Sequence, residues 1–236
     1  MWIIRIKKGE LISRVYETEQ DFGADAGKEI ADRIRELLTT QDEVNMVFSA
    51  APSQNETLKC LLEQEVDWSK VNAFQFDEYL GNEKPQACYL KNTVFDKVNL
   101  KSVNYMGSGD GDAVCKDYAE LLSAKGIDIV LCDFGDKGQL GINDAKIADF
   151  NGKELVKKVD LAQGSCVTLT IPAIMSSKYV FCMATTDQKK QAVFDTHTAE
   201  ISEAVPATVL RKHKHLHVNL YTDRAAGELM VWNSPV

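Results

Sequence analysis

Four short polar clusters, each directly after a run of apolar residues, hold the groups that can do chemistry in this chain of 236 residues. After "VNAFQF" comes "DEYLG", which opens with Asp77. A carboxylate partly withdrawn from water has a raised pKa and can take a proton from carbon next to a carbonyl; the ordinary alternative is a turn or helix start. After "IDIVLCDF" comes "GDKGQLGIND", with Gly135, Gly138 and Gly141 spaced around Lys137, Gln139, Asn143 and Asp144. Glycines let backbone approach a ligand, although a tight turn without a ligand needs them as well. Their spacing is neither the dinucleotide fingerprint nor a triphosphate loop, so no nucleotide cofactor is expected.

After "VNMVF" the chain reads "SAAPSQNETLKCLL". Ser53 and Glu56 have capping-box spacing, which predicts that Ser53 opens a helix. With the small residues Ala50 and Ala51 before it, that helix start can either face an anion such as phosphate or be a plain cap. Lys189 follows "YVFCMATT" near a predicted helix start, where the helix dipole does not favour a cation. It is a candidate phosphate ligand, against the background of ordinary surface lysines. "RKHKHLHV" sets His213, His215 and His217 at alternate positions, on one face of an extended segment. With no fourth ligand in view, no metal is expected.

The elements that must position these groups alternate along the chain. Residues 44–48, 71–76, 127–134, 167–172, 179–185 and 216–222 are short, apolar and rich in β-branched or aromatic types, and read as strands of a buried, mostly parallel sheet. Between them, residues 24–38 show apolar spacing of helical period at Ala26, Ile30, Ile34, Leu37 and Leu38. Helices are also predicted from Asn55 to about Leu62, over 111–125 and over 187–198. No repeat or linker interrupts the pattern, so residues 1–236 are expected to form one α/β domain: a doubly wound, Rossmann-like, mostly parallel sheet with helices on both faces. Ligands of such sheets bind beyond the carboxyl ends of the strands, where all four clusters lie.

Composition narrows the partners. A formal charge of −8 gives no basic footprint for nucleic acid or an anionic membrane. Six widely spaced cysteines without a C-x-x-C fit a reduced, cytoplasmic protein, and no segment approaches the roughly 18 apolar residues of a membrane span. A small molecule is the expected ligand, and a homo-oligomer is compatible with the composition.

In this order, "AAPSQNETL", "VDWSKVNAFQFDEYLG", "FDKVNLKSVNYMGSGD", "DIVLCDFGDKGQLGINDAKIADFN", "LTIPAIMSSKYVFCM" and "ISEAVPATVLRKH" resemble the glucosamine-6-phosphate deaminase/isomerase family. That family includes galactosamine-6-phosphate isomerases and is related to 6-phosphogluconolactonases. The likeness runs from about Asp21 to Leu229. It implies an aldose/ketose rearrangement of a 2-amino sugar phosphate without metal or cofactor: a histidine helps open the ring, and a carboxylate moves a proton between C2 and C1 before ammonia leaves. Asp77 matches that carboxylate, Lys189 the phosphate-binding lysine, Ala50, Ala51 and Ser53 the phosphate loop, and Asn143 and Asp144 the end of the third motif, which begins at Gly135 and includes Gly138.

Two positions depart from the pattern. Lys137 stands where the family has Asp or Asn, and Gln139 replaces the ring-opening histidine. Glutamine can hydrogen-bond a sugar oxygen but cannot shuttle a proton. A stretch of about two dozen residues that carries a phosphate-binding arginine in the family is bridged here by "QGSC". The expected activity is therefore amino-sugar-phosphate isomerase/deaminase chemistry with Asp77 as base and Asp144 or Lys137 assisting, or a sugar-phosphate-binding or regulatory module in which Lys137 replaces the lost arginine.

Overall fold

The computed structural model describes residues 1–212 and 217–233. The strands are β1 (Ile4–Lys8), β2 (Leu11–Val15), β3 (Val44–Phe48), β4 (Val71–Gln75), β5 (Asp77–Tyr79), β6 (Ser102–Asn104), β7 (Ile129–Asp133), β8 (Val156–Leu161), β9 (Gly164–Leu169), β10 (Tyr179–Ala184) and β11 (His217–Thr222). The helices are α1 (Glu19–Leu37), α2 (Asn55–Leu62), α3 (Pro85–Leu90), α4 (Gly111–Lys125), α5 (Ile171–Met175), α6 (Lys190–Thr198) and α7 (Glu228–Trp232).

Eight strands form the main sheet in the order β1-β2-β11-β10-β7-β3-β4-β6. All neighbours run parallel except the edge strand β1. From β3 the chain steps outward through β4 to β6, then returns to place β7 on the other side of β3 and continues through β10 to β11. The winding direction therefore reverses between β3 and β7, the position at which doubly wound sheets bind ligands. Successive side chains point to opposite faces of a strand, so each face has its own core. Val130, Cys132, Val180, Cys182 and Leu220 pack on one side with residues of α4, α5 and α6. Met46, Phe48, Ile129, Leu131, Phe181 and Met183 pack on the other with α1 and α2.

Helix α1 begins five residues before the predicted start, because the Thr18 side chain accepts a hydrogen bond from the Asp21 N–H. Its glycines bring α2 close. A Cβ at Gly23 would lie 2.8 Å from Glu56 Cβ, and one at Gly27 2.7 Å from the Leu61 nitrogen.

One predicted strand belongs elsewhere. Residues 167–172 do not join the parallel sheet: β9 pairs antiparallel with β8 and β5 in a separate three-stranded sheet, and Ile171 starts α5. An apolar run such as "CVTL" fits either sheet, because local pattern records burial and not the identity of the neighbour. The "QGSC" bridge lies at the tip of the β8–β9 hairpin, where Leu161 pairs with Gly164 across two turn residues. A tight hairpin thus closes this segment. Among the described residues no helix is long and apolar enough to cross a membrane.

Candidate active site

Asp77 stands at the seam between the two sheets. The Phe76 N–H donates to the Phe48 carbonyl in β3 at 3.0 Å, while the Phe76 carbonyl accepts from the Leu169 N–H of β9 at 3.0 Å. The backbone thus leaves the main sheet at one residue, and the next side chain is enclosed on both sides. Asp77 is 6% exposed. Among the described residues no donor reaches its carboxylate, and its pKa is pushed up to about 7 by burial, then by the charge of Asp133, then by that of Glu78. Glu78 is differently placed. Its carboxylate accepts from Gln75 Nε2, the Tyr79 N–H and the Ala87 N–H, each at 2.8 Å, and so tethers the first turn of α3. Of the two adjacent acids, Asp77 is the one left for chemistry.

Asp133 was not among the residues singled out from the sequence. It ends β7 at the switch point and, by strand alternation, shares the face of Ile129 and Leu131. Burial raises its pKa, while Lys189 and the Phe134 N–H hold it back. Lys189 also acts on Glu19, so two carboxylates share its charge. The Tyr89 hydroxyl donates to Asn55 Oδ1, and the ring's phenol feels both Asp133 and Glu19. Asp77, Asp133, Lys189, Glu19 and Tyr89 are thus linked through charge, and Tyr89 and Asn55 through a hydrogen bond. The sequence signal for Asp133 is a charged residue that finishes an apolar run, at the last position of its strand and not after it.

Lys189 is set by a strained turn. Thr186 adopts φ +75°, which a β-branched residue rarely does, and its N–H donates to Asp223 Oδ2 at 3.1 Å. Beside this turn lies a cavity of about 770 Å³ bounded by Glu17, Glu19, Asp187, Asp223, Arg224 and Trp232 among others; its walls do not include Asp77 or Asp133. Its cations are already engaged, Arg224 with Glu17 at 2.8 Å and Lys190 with Glu228 at 3.2 Å.

The glycine-rich loop is occupied with itself. Gln139 Oε1 accepts from the Lys137 N–H at 2.9 Å and Nε2 donates to Asp136 at 3.3 Å, so the amide lies across Gly135, where a Cβ would sit 2.0 Å from Gln139 Cδ. Gln139 forms a staple within the loop, because the short turn brings its amide over its own backbone. Lys137 is exposed at the loop tip and forms no ion pair among the described residues. Asp144 accepts from the Lys146 and Ile147 N–H groups, which makes it a turn cap. Buried Asn143 donates to the carbonyls of Leu140 and Leu169, tying the loop to β9. Gly138 and Gly141 have φ of +72° and +58°, the left-handed region these turns require. None of Lys137, Gln139 and Asp144 is among the groups whose charge acts on Asp77. Gln139→Ala should accordingly lower stability by about 1 kcal/mol, read from a urea midpoint, by removing the staple.

Ala50 and buried Ala51 precede a 3₁₀ turn, Pro52–Gln54, and α2 follows it. The capping box does not form. Pro52, whose fixed φ suits a helical first turn, begins the turn one residue earlier, and buried Ser53 donates its hydroxyl to the Met183 carbonyl at 3.2 Å. Ser53 thereby locks the loop to β10. Of the three histidines, His213 and His215 lie outside the described residues; His217 begins β11 and stacks on Tyr179 with ring centroids 6.0 Å apart. Among the described residues no group of three or more His, Cys, Asp or Glu can hold a metal ion.

The profile of the glucosamine-6-phosphate isomerases/6-phosphogluconolactonase family matches residues 17–218. The chain belongs to this family. It is 28% identical over 231 residues to the glucosamine-6-phosphate deaminase of Clostridium acetobutylicum, covering 87% of this chain and 94% of that one. It is 27% identical over 223 residues to the glucosamine-6-phosphate deaminase of Listeria welshimeri, covering 85% and 95%. A monomeric glucosamine-6-phosphate deaminase superposes with a TM-score of 0.79 at 21% identity, covering 92% of this chain and 99% of that chain. A 6-phosphogluconolactonase from Shewanella baltica gives 0.80 at 15% identity, covering 93% and 100%. These two structural likenesses concern the fold.

Proposed function

We propose that this family member acts as one unit on an amino-sugar phosphate, glucosamine 6-phosphate or its galactosamine epimer, in carbohydrate metabolism in the cytoplasm. In this reading Asp77 is the base of an aldose/ketose rearrangement that ends in loss of ammonia. The observation that carries it is the Asp77 carboxyl: enclosed at the switch-point seam, free of donors among the described residues, and titrating at about 7. Such a group is part ionised near neutral pH, so it can accept the C2 proton of an open-chain aldose and return it to C1. The C2–H electron pair becomes the C1–C2 double bond of the enol while O1 takes up a proton. Lys189 offers the phosphate a positive charge at the same mouth.

The test is deuterium incorporation at C2 of glucosamine 6-phosphate in heavy water. Exchange is expected with the wild-type protein and its loss in Asp77→Asn; an absence of exchange above the solvent background in the wild type defeats the reading.

A second reading, a sugar-phosphate-binding module without turnover, is favoured by the Gln139 staple and by the hairpin that replaces the arginine-bearing stretch. Calorimetric titration with the two hexosamine 6-phosphates separates the two: binding without exchange supports the module, and exchange supports the enzyme.

A further inference from the structure

We infer that Asp223 is a positioning residue for the substrate phosphate, its carboxylate holding the strained Thr186 turn that sets Lys189. The inference rests on the amino-sugar-phosphate reading above and names what fixes the cation that reading needs. Strands β10 and β11 run parallel and stay paired to their last residues, Ala184 with Thr222. Thr186 and Asp223 therefore leave the sheet side by side. Asp223 Oδ2 accepts from the Thr186 N–H at 3.1 Å and Oδ1 from the Ala226 N–H at 2.7 Å, so one carboxylate clamps the turns that follow both strands. The clamp stands on packed backbone: the Asp223 carbonyl accepts from the Gly227 N–H at 3.0 Å, and a Cβ at Gly227 would lie 2.5 Å from Val15 Cγ1.

Thr186 needs such a clamp. Its φ of +75° and ψ of 156° lie in a region that belongs almost to glycine alone, and a threonine released there relaxes toward extended backbone. A carboxylate makes a stronger bond to a backbone N–H than a neutral acceptor does, which offsets that tendency. The Thr186 carbonyl in turn accepts from the Lys189 N–H at 3.3 Å and closes the 3₁₀ turn Asp187–Lys189. Rotation at Thr186 would carry this turn, and the Lys189 ammonium with it, away from where the strand end now aims them.

The same strand end fixes the other phosphate candidate. Met183, just before Thr186 on β10, accepts the Ser53 hydroxyl on its carbonyl at 3.2 Å and pairs in register with Asp133 at the end of β7. The loop of Ala50, Ala51 and Ser53 and the turn of Lys189 are thus both fastened to β10 beside the switch point. Lys190, the next residue, is engaged with Glu228 at 3.2 Å, whereas Lys189 forms no ion pair among the described residues. An ammonium is a point charge on a flexible stem, so its value to a phosphate depends on where its backbone is held.

A double-mutant cycle read by calorimetric titration, with glucosamine 6-phosphate and in parallel with inorganic phosphate, tests the role. Asp223→Ala should weaken binding about tenfold, and Lys189→Ala by at least as much. Because Asp223 acts through the lysine, the double variant should bind no more weakly than Lys189→Ala alone. Thr186→Gly added to Asp223→Ala should restore affinity to within about threefold of the wild type, since glycine keeps this φ without a clamp. Lys190→Ala should match the wild type. Where C2 exchange is measurable, Asp223→Ala should raise KM and leave kcat nearly unchanged. If Asp223→Ala does not fold, Asp223→Asn takes its place in the cycle: it keeps one acceptor oxygen, and the same pattern is expected with a smaller loss. Wild-type affinity in the Asp223 variant, additive losses in the double variant, or no recovery with Thr186→Gly overturns the inference. Binding that follows the cycle without C2 exchange defeats the deaminase reading and leaves the role of Asp223 standing. A wild type that exchanges C2 while its variants ignore the cycle does the reverse, and binding of neither probe defeats both.

Discussion

Asp77→Asn should stabilise the folded protein at pH 8 while removing proton transfer. The carboxyl titrates at about 7 in the folded chain against an ordinary value of 3.8. Between those two values the native state holds the proton more tightly than the unfolded state does, so unfolding releases it and stability falls as pH rises through the window. Above pH 7 the native protein must keep a bare carboxylate in a site that opposes it. A gap of about 3 units corresponds to ~4 kcal/mol at most for this one group. Asparagine has nearly the same shape and no charge, so the variant avoids that cost. Urea unfolding of both proteins at pH 4 and pH 8 measures it: the variant should gain stability at the higher pH and little at the lower.

Activity moves the other way. Removing a general base typically costs 10² to 10⁴ in rate, and in the wild type kcat/KM should fall on the acid side of about pH 7, where the base takes up a proton. A residue kept only for structure would give neither the trade of stability for activity nor that acid limb. Equal stability of the two proteins at pH 8 would count against the burial of an ionised Asp77.

The second large effect concerns Gly141. Its φ of +58° is one that L side chains adopt at a cost of roughly 1–2 kcal/mol, and a Cβ there would lie 2.3 Å from Phe76 Cε1. The displaced ring belongs to the residue at which the chain crosses from one sheet to the other, and the Gly141 N–H donates to the Asp133 carbonyl at 2.9 Å. Gly141→Ala should therefore lower stability by about 3 kcal/mol or more, strain and overpacking together, and shift both carboxyls of the site. Gly81 is the control. No heavy atom lies within 4 Å of a Cβ built there, so Gly81→Ala should leave the urea midpoint nearly unchanged.

Much of the architecture was legible in one dimension. The apolar runs 44–48, 71–76 and 179–185 became β3, β4 and β10 within a residue of their ends, and residues 111–125 became α4. Burial imposes a period of 2 or 3.6 that any reader of the chain can count. Alternation of strand and helix then points to an open α/β sheet, and with it to the carboxyl ends of the strands, where Asp77 and Lys189 were found. What the chain could not reveal is which buried groups face one another. Residues 167–172 read as a core strand because they are buried, but their partners are β8 and β5, and that pairing is what encloses Asp77.

Capping-box spacing at Ser53 predicted a local bond that loses to a contact 130 residues away, with Met183. Gln139 spends its amide on the loop itself, and Asp144 gives one carboxylate oxygen to two backbone N–H groups of the turn. The sequence by itself determined the α/β architecture, the strand ends that carry polar groups and the loss of an ionisable side chain at position 139. Only the tertiary structure decided that the charge of Asp133 bears on Asp77, that Glu78 is consumed by α3 and that the charge of Lys189 acts on both Asp133 and Glu19. Periodicity is a property of neighbours along the chain, whereas repulsion, desolvation and hydrogen-bond competition depend on which strands become neighbours in space.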